Sequence, residues 1–338
     1  MRSVMSAVMR TSLRVFAGLA GALALHAVAQ PTPDAEGALP DMPAARAPSS
    51  AELDVQTVEI PRASMKDAED APQTLTAYWV ASSTSPTSPI KAPAGGSPVV
   101  IALHGCSGLY TQTGTDAKAL GSRYRGYAQW LRARGYAVVF PDSFGPRGKP
   151  HGICTERTAA RDINGTVRRA DVLATIRWVA TQPGVDARRI VLLGWSNGAQ
   201  AVLEAVDGSR AWPADTPPVN RAVAFYPGCA SAQKRADYRL NAPLLLLAGG
   251  NDDWTPADHC QALQTAVLAR QPQARFELDM FGGAYHGFDG TAPVKERSGI
   301  PNGRQNGRHT GTVTVGGDPA AREAAFAKLA AWLDAPHP

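Results

Sequence analysis

The chain has 338 residues, 44% of them hydrophobic and 19% charged, enough apolar material to bury the core of one large α/β domain or of two smaller ones. Its formal charge is +5, but three arginines and no acidic residue fall within the first 29 positions, and without that segment the charge drops to +2. No basic run remains of the kind that argues for nucleic-acid binding.

At the N-terminus, Arg2, Arg10 and Arg14 precede or flank an apolar run from Val15 to Leu25, and Ala27-Val28-Ala29 supplies small residues at the −3 and −1 positions of a cleavage site. Residues 1–29 therefore read as a secretory signal peptide cut before Gln30. The apolar stretch is short for an uncleaved anchor, so the expectation is an exported protein, periplasmic or extracellular, with no stable membrane insertion after cleavage. Residues 30–74 begin rich in Pro and Ala without periodicity and read as a partly disordered leader. The folded domain is expected over residues 75–338.

Within it, apolar runs alternate with helical stretches. Strands are predicted at Leu75 to Ala81, Pro98 to Leu103, Tyr136 to Phe140, Ile190 to Leu193, Ala222 to Tyr226, Leu244 to Ala248 and Arg275 to Met280. Helices are predicted at Tyr124 to Arg134, closed by Gly135, then Thr158 to Gln182, the stretch after Gly198, Pro256 to Arg270 and Pro319 to Leu333. The longest of these shows a stripe of Ile163, Val167, Ala170, Ala174 and Trp178 facing the sheet. Alternating elements whose central strands are apolar throughout mean a mostly parallel sheet with helices on both faces, an α/β fold. A long polar loop is expected between Gly287 and Asp318.

The chemistry is expected around Gly194-Trp195-Ser196-Asn197-Gly198, a G-x-S-x-G between a buried strand and a helix. In that context the pattern is a nucleophile elbow, which lifts the Ser196 hydroxyl above the sheet at a helix N-terminus. A serine needs a base, and in this architecture the partners follow in the order Ser, Asp or Glu, His. His259 sits in a helix only seven residues past the candidate acid, and His309 lies in a Gly/Asn/Arg-rich loop with no strand to hold it. His286 follows a strand closely and is the expected base. The acid is expected after Leu244 to Ala248, where Asp252 and Asp253 compete. Asp252 is the first to clear the strand and is favoured, while Asp253 suits a helix cap. The oxyanion donors are expected to be the backbone N–H groups of Asn197 and of Cys106 in His104-Gly105-Cys106-Ser107-Gly108, with Ser107 behind Cys106.

Four cysteines, Cys106, Cys154, Cys229 and Cys260, show no metal-binding spacing, and in an exported chain an even count suggests disulfides. Three pairings are available. The strand positions place Cys106 and Cys154 after adjacent strands, and likewise Cys229 and Cys260, which favours those two bonds.

Taken together, His104-Gly105-Cys106-Ser107-Gly108-Leu109, Gly194-Trp195-Ser196-Asn197-Gly198-Ala199, Tyr226-Pro227-Gly228, Gly249-x-x-Asp252-Asp253-Trp254-Thr255-Pro256 and Tyr285-His286-Gly287-Phe288 resemble the dienelactone hydrolase family of α/β-hydrolases over residues 75 to 335. The resemblance implies the α/β-hydrolase fold, with the family's nucleophile, acid and base falling on Ser196, Asp252 and His286. The family's namesake enzymes use cysteine where this chain has serine, which favours a serine carboxylesterase acting on a small-molecule ester with no metal or organic cofactor. An acyltransferase or peptidase on the same triad, or a silent scaffold that binds a ligand, are the competing readings. The loops Asp142 to Thr158 and Gly287 to Asp318 are placed to flank the site, and Arg147, Arg157, Arg297, Arg304 and Arg308 are available to a substrate carboxylate without any one being assigned.

Overall fold

A computed structural model of the chain describes residues 53–62, 74–82, 95–110, 120–305 and 308–336. The expected signal peptide lies outside the described residues, as does most of the expected leader.

The strands β1 (Gln56–Pro61), β2 (Thr74–Val80), β3 (Ser97–Leu103), β4 (Ala137–Pro141), β5 (Val185–Trp195), β6 (Arg221–Phe225), β7 (Leu244–Gly249) and β8 (Phe276–Phe281) form one eight-stranded sheet in the order β1-β2-β4-β3-β5-β6-β7-β8. From β4 to β8 every neighbouring pair is parallel, and β2 runs antiparallel to both β1 and β4. The edge strand β1 lies inside the stretch read as leader. It is mostly exposed, with Val58 half-buried and Ile60 buried, and gave no apolar run to find.

Helices α1 (Ser122–Arg132), α2 (Gly165–Ala180), α3 (Asn197–Ala205), α4 (Ala230–Gln233), α5 (Asp258–Arg270) and α6 (Pro319–Asp334) complete the fold. Alternate residues of the central strands serve opposite cores. Val99, Ile101, Ile190, Leu192, Leu244 and Leu246 pack with α2, α3 and α5, whereas Val100, Val191, Leu193, Val223, Leu245 and Leu247 pack with α1 and α6. Apolar residues are needed at every position because both faces are covered.

Two expectations are corrected. The long helix begins at Gly165, not Thr158, because Asn164 caps it, accepting from the Thr166 and Val167 N–H groups at 3.0 and 3.2 Å. Its buried residues are Arg168, Asp171, Val172, Leu173, Ala174, Thr175, Ile176 and Val179; of the expected stripe Ala174 is among them, whereas Val167, Ala170 and Trp178 are only partly buried. The polar loop after Gly287 is also structured: β9 (Lys295–Ser298) pairs with β12 (Thr312–Val315), and β10 (Arg304–Gln305) with β11 (Arg308–His309), both antiparallel. His309, expected in a loop, therefore stands on a short strand.

Register positions the site. Leu103 is paired with Gly194, and Trp195 with Phe225, so the loop after β3 and the elbow after β5 leave the sheet side by side. Gly249 is paired with Phe281, so the loops after β7 and β8 do the same. The elbow is tight. Ser196 has φ 53°, and a Cβ on Gly198 would overlap the Leu103 carbonyl and stand 2.6 Å from that of His104. Beneath the β3 loop, His104 is fully buried, its Nδ1–H directed at the Gly105 carbonyl (2.9 Å) and its Nε2 accepting from the Ser143 N–H (3.2 Å). Burial first, and then the nearby Arg168 cation, push its pKa down to about 3.

These features have measurable consequences. Gly198→Ala forces a methyl group into backbone and is expected to cost about 3 kcal/mol, lowering Tm by roughly 6–12 °C in thermal melts. His104 stays neutral in the folded chain but takes up a proton below its ordinary pKa of 6.5 once unfolded. The stability held above pH 6.5 is therefore lost progressively as pH falls towards about 3. His104→Gln is expected to flatten the acid side of the Tm–pH curve by about one proton's worth of slope relative to wild type; parallel curves would refute the neutral assignment.

Candidate active site

The three residues named as nucleophile, base and acid, brought in by β5, β8 and β7, meet at the C-terminal edge of the sheet. His286 Nε2 lies 2.9 Å from Ser196 Oγ, and His286 Nδ1 lies 2.8 Å from Asp252 Oδ2. With the ring proton on Nδ1 donated to the carboxylate, Nε2 is left to accept from the serine hydroxyl. Asp252 and His286 are both buried. The other carboxylate oxygen, Oδ1, accepts from the Trp254 and Thr255 N–H groups at 2.9 and 2.8 Å, and Thr255 Oγ1 lies 2.8 Å from Oδ2. These donors fix the plane of the Asp252 carboxylate.

Asp253 faces elsewhere. Its carboxylate accepts from the Thr314 N–H and hydroxyl, at 2.8 and 2.9 Å, and so ties the acid turn to β12. It does not cap α5, whose N-terminal residue Ala257 offers no side-chain cap. The same strand also reaches the base, since the Gly316 N–H donates to the His286 carbonyl at 3.0 Å. One hairpin thereby steadies both loops.

The imidazole is walled by two rings, with centroids 4.6 Å away for Tyr226 and 4.7 Å for Trp254. Tyr226 has φ 40° and, with Ser196, makes up the non-glycine residues of positive φ among those described. Its hydroxyl donates to Asp289 Oδ1 at 2.7 Å, Tyr127 donates to Oδ2 at 2.8 Å, and Arg123 pairs with the same carboxylate. Burial and the Asp289 charge raise the Tyr127 pKa well above its ordinary value, so the hydroxyl stays a donor. The base loop is thus anchored three residues beyond His286. Trp254, Thr255 and Tyr226 were visible in the sequence patterns but without roles; Asp289, Arg123 and Arg168 carried no local signal.

The segments that carry the candidate oxyanion donors meet beside the serine. A Cβ on Gly105 would stand 3.7 Å from Ser196 Cβ, which puts the β3 loop against the elbow. Asn197 opens α3, where N–H groups lack intrahelical acceptors. Cys106 and Asn197 line the same cleft as Ser196, of about 430 Å³. Disulfides join Cys106 to Cys154 and Cys229 to Cys260, so the loop after β3 is bound to the segment before α2, and the loop after β6 to α5.

The cleft is also lined by Arg157, Arg161, Lys234, His259 and His309 and, among the described residues, by no Asp or Glu. Among the described residues, Arg157, Arg161 and Lys234 form no ion pair. Burial lowers the Arg161 pKa below the usual arginine range, with Glu156 opposing. Of the other arginines named from sequence, Arg147 is committed to Asp171 through two bonds of 2.8 and 2.9 Å, Arg297 lies over the Trp254 ring at 5.8 Å, and Arg308 is exposed on β11. The side chain of Arg304 lies outside the described residues.

A Salmonella typhimurium protein described as "Putative carboxymethylenebutenolidase" is 25% identical over 210 residues, covering 59% of this chain and 70% of that protein. The like-named Escherichia coli K12 protein is 25% identical over 170 residues and is covered over only 59% of its length. Among solved structures, the "Putative Dienelactone Hydrolase" of Klebsiella pneumoniae superposes with a TM-score of 0.55 at 19% identity, over 82% of this chain and 97% of that one. The model of the dienelactone hydrolase family matches residues 89–335, most of the chain, and the protein belongs to that family.

Proposed function

We propose that this chain is an exported serine hydrolase that cleaves carboxylic esters through an acyl-enzyme on Ser196. The observation that carries the reading is the continuous chain from Ser196 Oγ through His286 to Asp252, at 2.9 and 2.8 Å. His286 Nε2 takes the serine proton as Oγ attacks the ester carbonyl. The tetrahedral oxyanion is held by the N–H groups of Asn197 and Cys106, and His286 then returns the proton to the departing alcohol. Water repeats the cycle on the acyl-enzyme, with His286 again as base. Asp252 holds the imidazole in the required tautomer and stabilises the imidazolium between the two proton transfers.

The cations of the cleft support an ester that carries a carboxylate of its own. They attract an anion without a competing acidic side chain in the lining, and Arg161 is half-buried, where a charge–charge contact is less screened. Export is supported by the two disulfides and by the reading of residues 1–29, and N-terminal sequencing of protein recovered outside the cytoplasm tests it.

Two expectations follow for the mature protein. It should label with a fluorophosphonate and hydrolyse p-nitrophenyl esters; Ser196→Ala should lose both, and Asp252→Asn should lower kcat by roughly 10³–10⁴-fold. A wild type that is folded, yet neither labels nor turns over, would defeat the proposal. The p-nitrophenyl monoester of a dicarboxylic acid should exceed the neutral ester of equal length in kcat/KM by about tenfold at low salt. That advantage should shrink with ionic strength and in Arg161→Gln, and equal values for the two esters would remove the acidic-substrate reading.

A further inference from the structure

Arg168 is an unusual residue for its place. It sits on the buried face of α2 at 1% exposure, where an apolar residue would pack against the sheet without desolvating a charge. Its Nη2 donates to the His104 carbonyl at 3.1 Å and its Nη1 to Asn197 Oδ1 at 3.0 Å. Both acceptors are neutral, and Nε has no acceptor among the described residues. Burial lowers its pKa to about 10, opposed by the charges of Asp171 and Asp142, so the group remains a cation at neutral pH. Its guanidinium lies 5.1 Å from the centre of the Phe144 ring, and among the described residues no carboxylate is hydrogen-bonded to it.

The two groups it grips belong to the two segments that carry the candidate oxyanion donors. His104 opens the loop that presents the Cys106 N–H, and Asn197 presents the second N–H from the first position of α3. The Asn197 side chain is itself fixed at its other end, Nδ2 donating to Gln200 Oε1 at 3.0 Å. Among the described residues no hydrogen bond joins the Cys106 and Asn197 peptides directly, whereas Arg168 spans their two segments through one rigid planar fork. On the strength of the proposed ester hydrolysis, the structure assigns to Arg168 the role of a positioning residue, one that sets the separation of the two oxyanion donors by holding His104 O and Asn197 Oδ1 together.

The lysine that replaces it in Arg168→Lys keeps the charge but reaches one acceptor at a time. Activity is measured per active site titrated with fluorophosphonate, so that misfolded protein does not count. Arg168→Lys is expected to lower kcat by about 10- to 100-fold with KM changed less than about twofold, because a displaced oxyanion donor acts on the transition state and not on the bound ester. Affinity for a trifluoromethyl ketone, whose adduct on serine carries the same oxyanion, should fall by the same factor as kcat/KM. Asn197→Ala, at a half-buried position, removes one end of the grip while leaving the Arg168 bond to the His104 carbonyl in place, and should show the same split. Combined with Arg168→Lys, its loss should be smaller than the product of the two single losses. A wild-type kcat per titrated site in either variant, or losses that multiply, overturns the assignment. If wild type itself fails to label, the proposed function falls; if wild type labels and Arg168→Lys labels equally fast, only the positioning role does.

Discussion

Where the first turn of α3 crosses the end of β3, Gly198 presses so closely on the Leu103 and His104 carbonyls that even a methyl group has no room. That contact follows from the pairing of Leu103 with Gly194, which leaves the chain one turn in which to reverse over its neighbour. The backbone answer is a serine at φ 53° with glycine two positions to either side. The distorted turn is pinned by the Ser196 N–H on the Phe225 carbonyl, at 2.9 Å, and by the Gln200 N–H on the Ser196 carbonyl, also at 2.9 Å. Its conformational cost leaves a hydroxyl above the sheet beside helix N–H groups that have no partner within the helix.

The rest of the site is a matter of steadying loops. Parallel register delivers the acid and base loops together, but a loop leaving a sheet has many paths open to it. Here its freedom is taken up by side chains from distant elements: Asp253 to Thr314, Asp289 to Tyr127, Tyr226 and Arg123, and the His286 carbonyl to the Gly316 N–H. The two disulfides span sequence separations of 48 and 31 residues and end on loops that line the cleft. By loop-closure entropy, each is worth about 4 kcal/mol, comparable to a large part of a domain's net stability. Stability and site geometry therefore share the same oxidised bonds.

What was legible in the sequence was local. Apolar runs identified seven of the eight strands of the sheet, and G-x-S-x-G between a strand and a helix located the elbow, because each pattern is short and its physical reason lies within a few residues. The two long-range pairings of cysteines also emerged, since they depend only on which strand ends are adjacent. Illegible features have partners far away in the chain. Arg168 and Asp171 lay outside the apolar stripe read for α2, and their partners, Asn197, His104 and Arg147, are far away in the chain. Composition left Asp252 and Asp253 competing on an argument about helix capping; the structure separates them by aiming one at His286 and the other at Thr314. The hairpin after Gly287 was hidden because its strands are only four residues long, one of them charged, and are supported by the site as much as by each other.

Charge is sorted by depth around the cleft. Beneath it, every buried carboxylate has donors: Asp142 takes the Phe144 and Gly145 N–H groups, Asp171 takes Arg147, Asp252 takes His286, and Asp289 takes Arg123 and two tyrosines. Their negative charge is spent on the fold. At the cleft wall Arg157, Arg161 and Lys234 line the space before Ser196 and form no ion pair among the described residues. A residual positive potential there acts on any negative charge that enters or forms, and a substrate carboxylate and a tetrahedral oxyanion are both such charges. The former is present in the ground state and shows in KM; the latter forms only during reaction and shows in kcat. Mobile cations on exposed stems serve the first well, because attraction at a distance tolerates loose geometry. The second demands donors held to within a few tenths of an ångström, which is the work of backbone N–H groups on loops clamped from below. On the proposed reading, the cations of the cleft wall would serve the first task and the buried guanidinium of Arg168 the second.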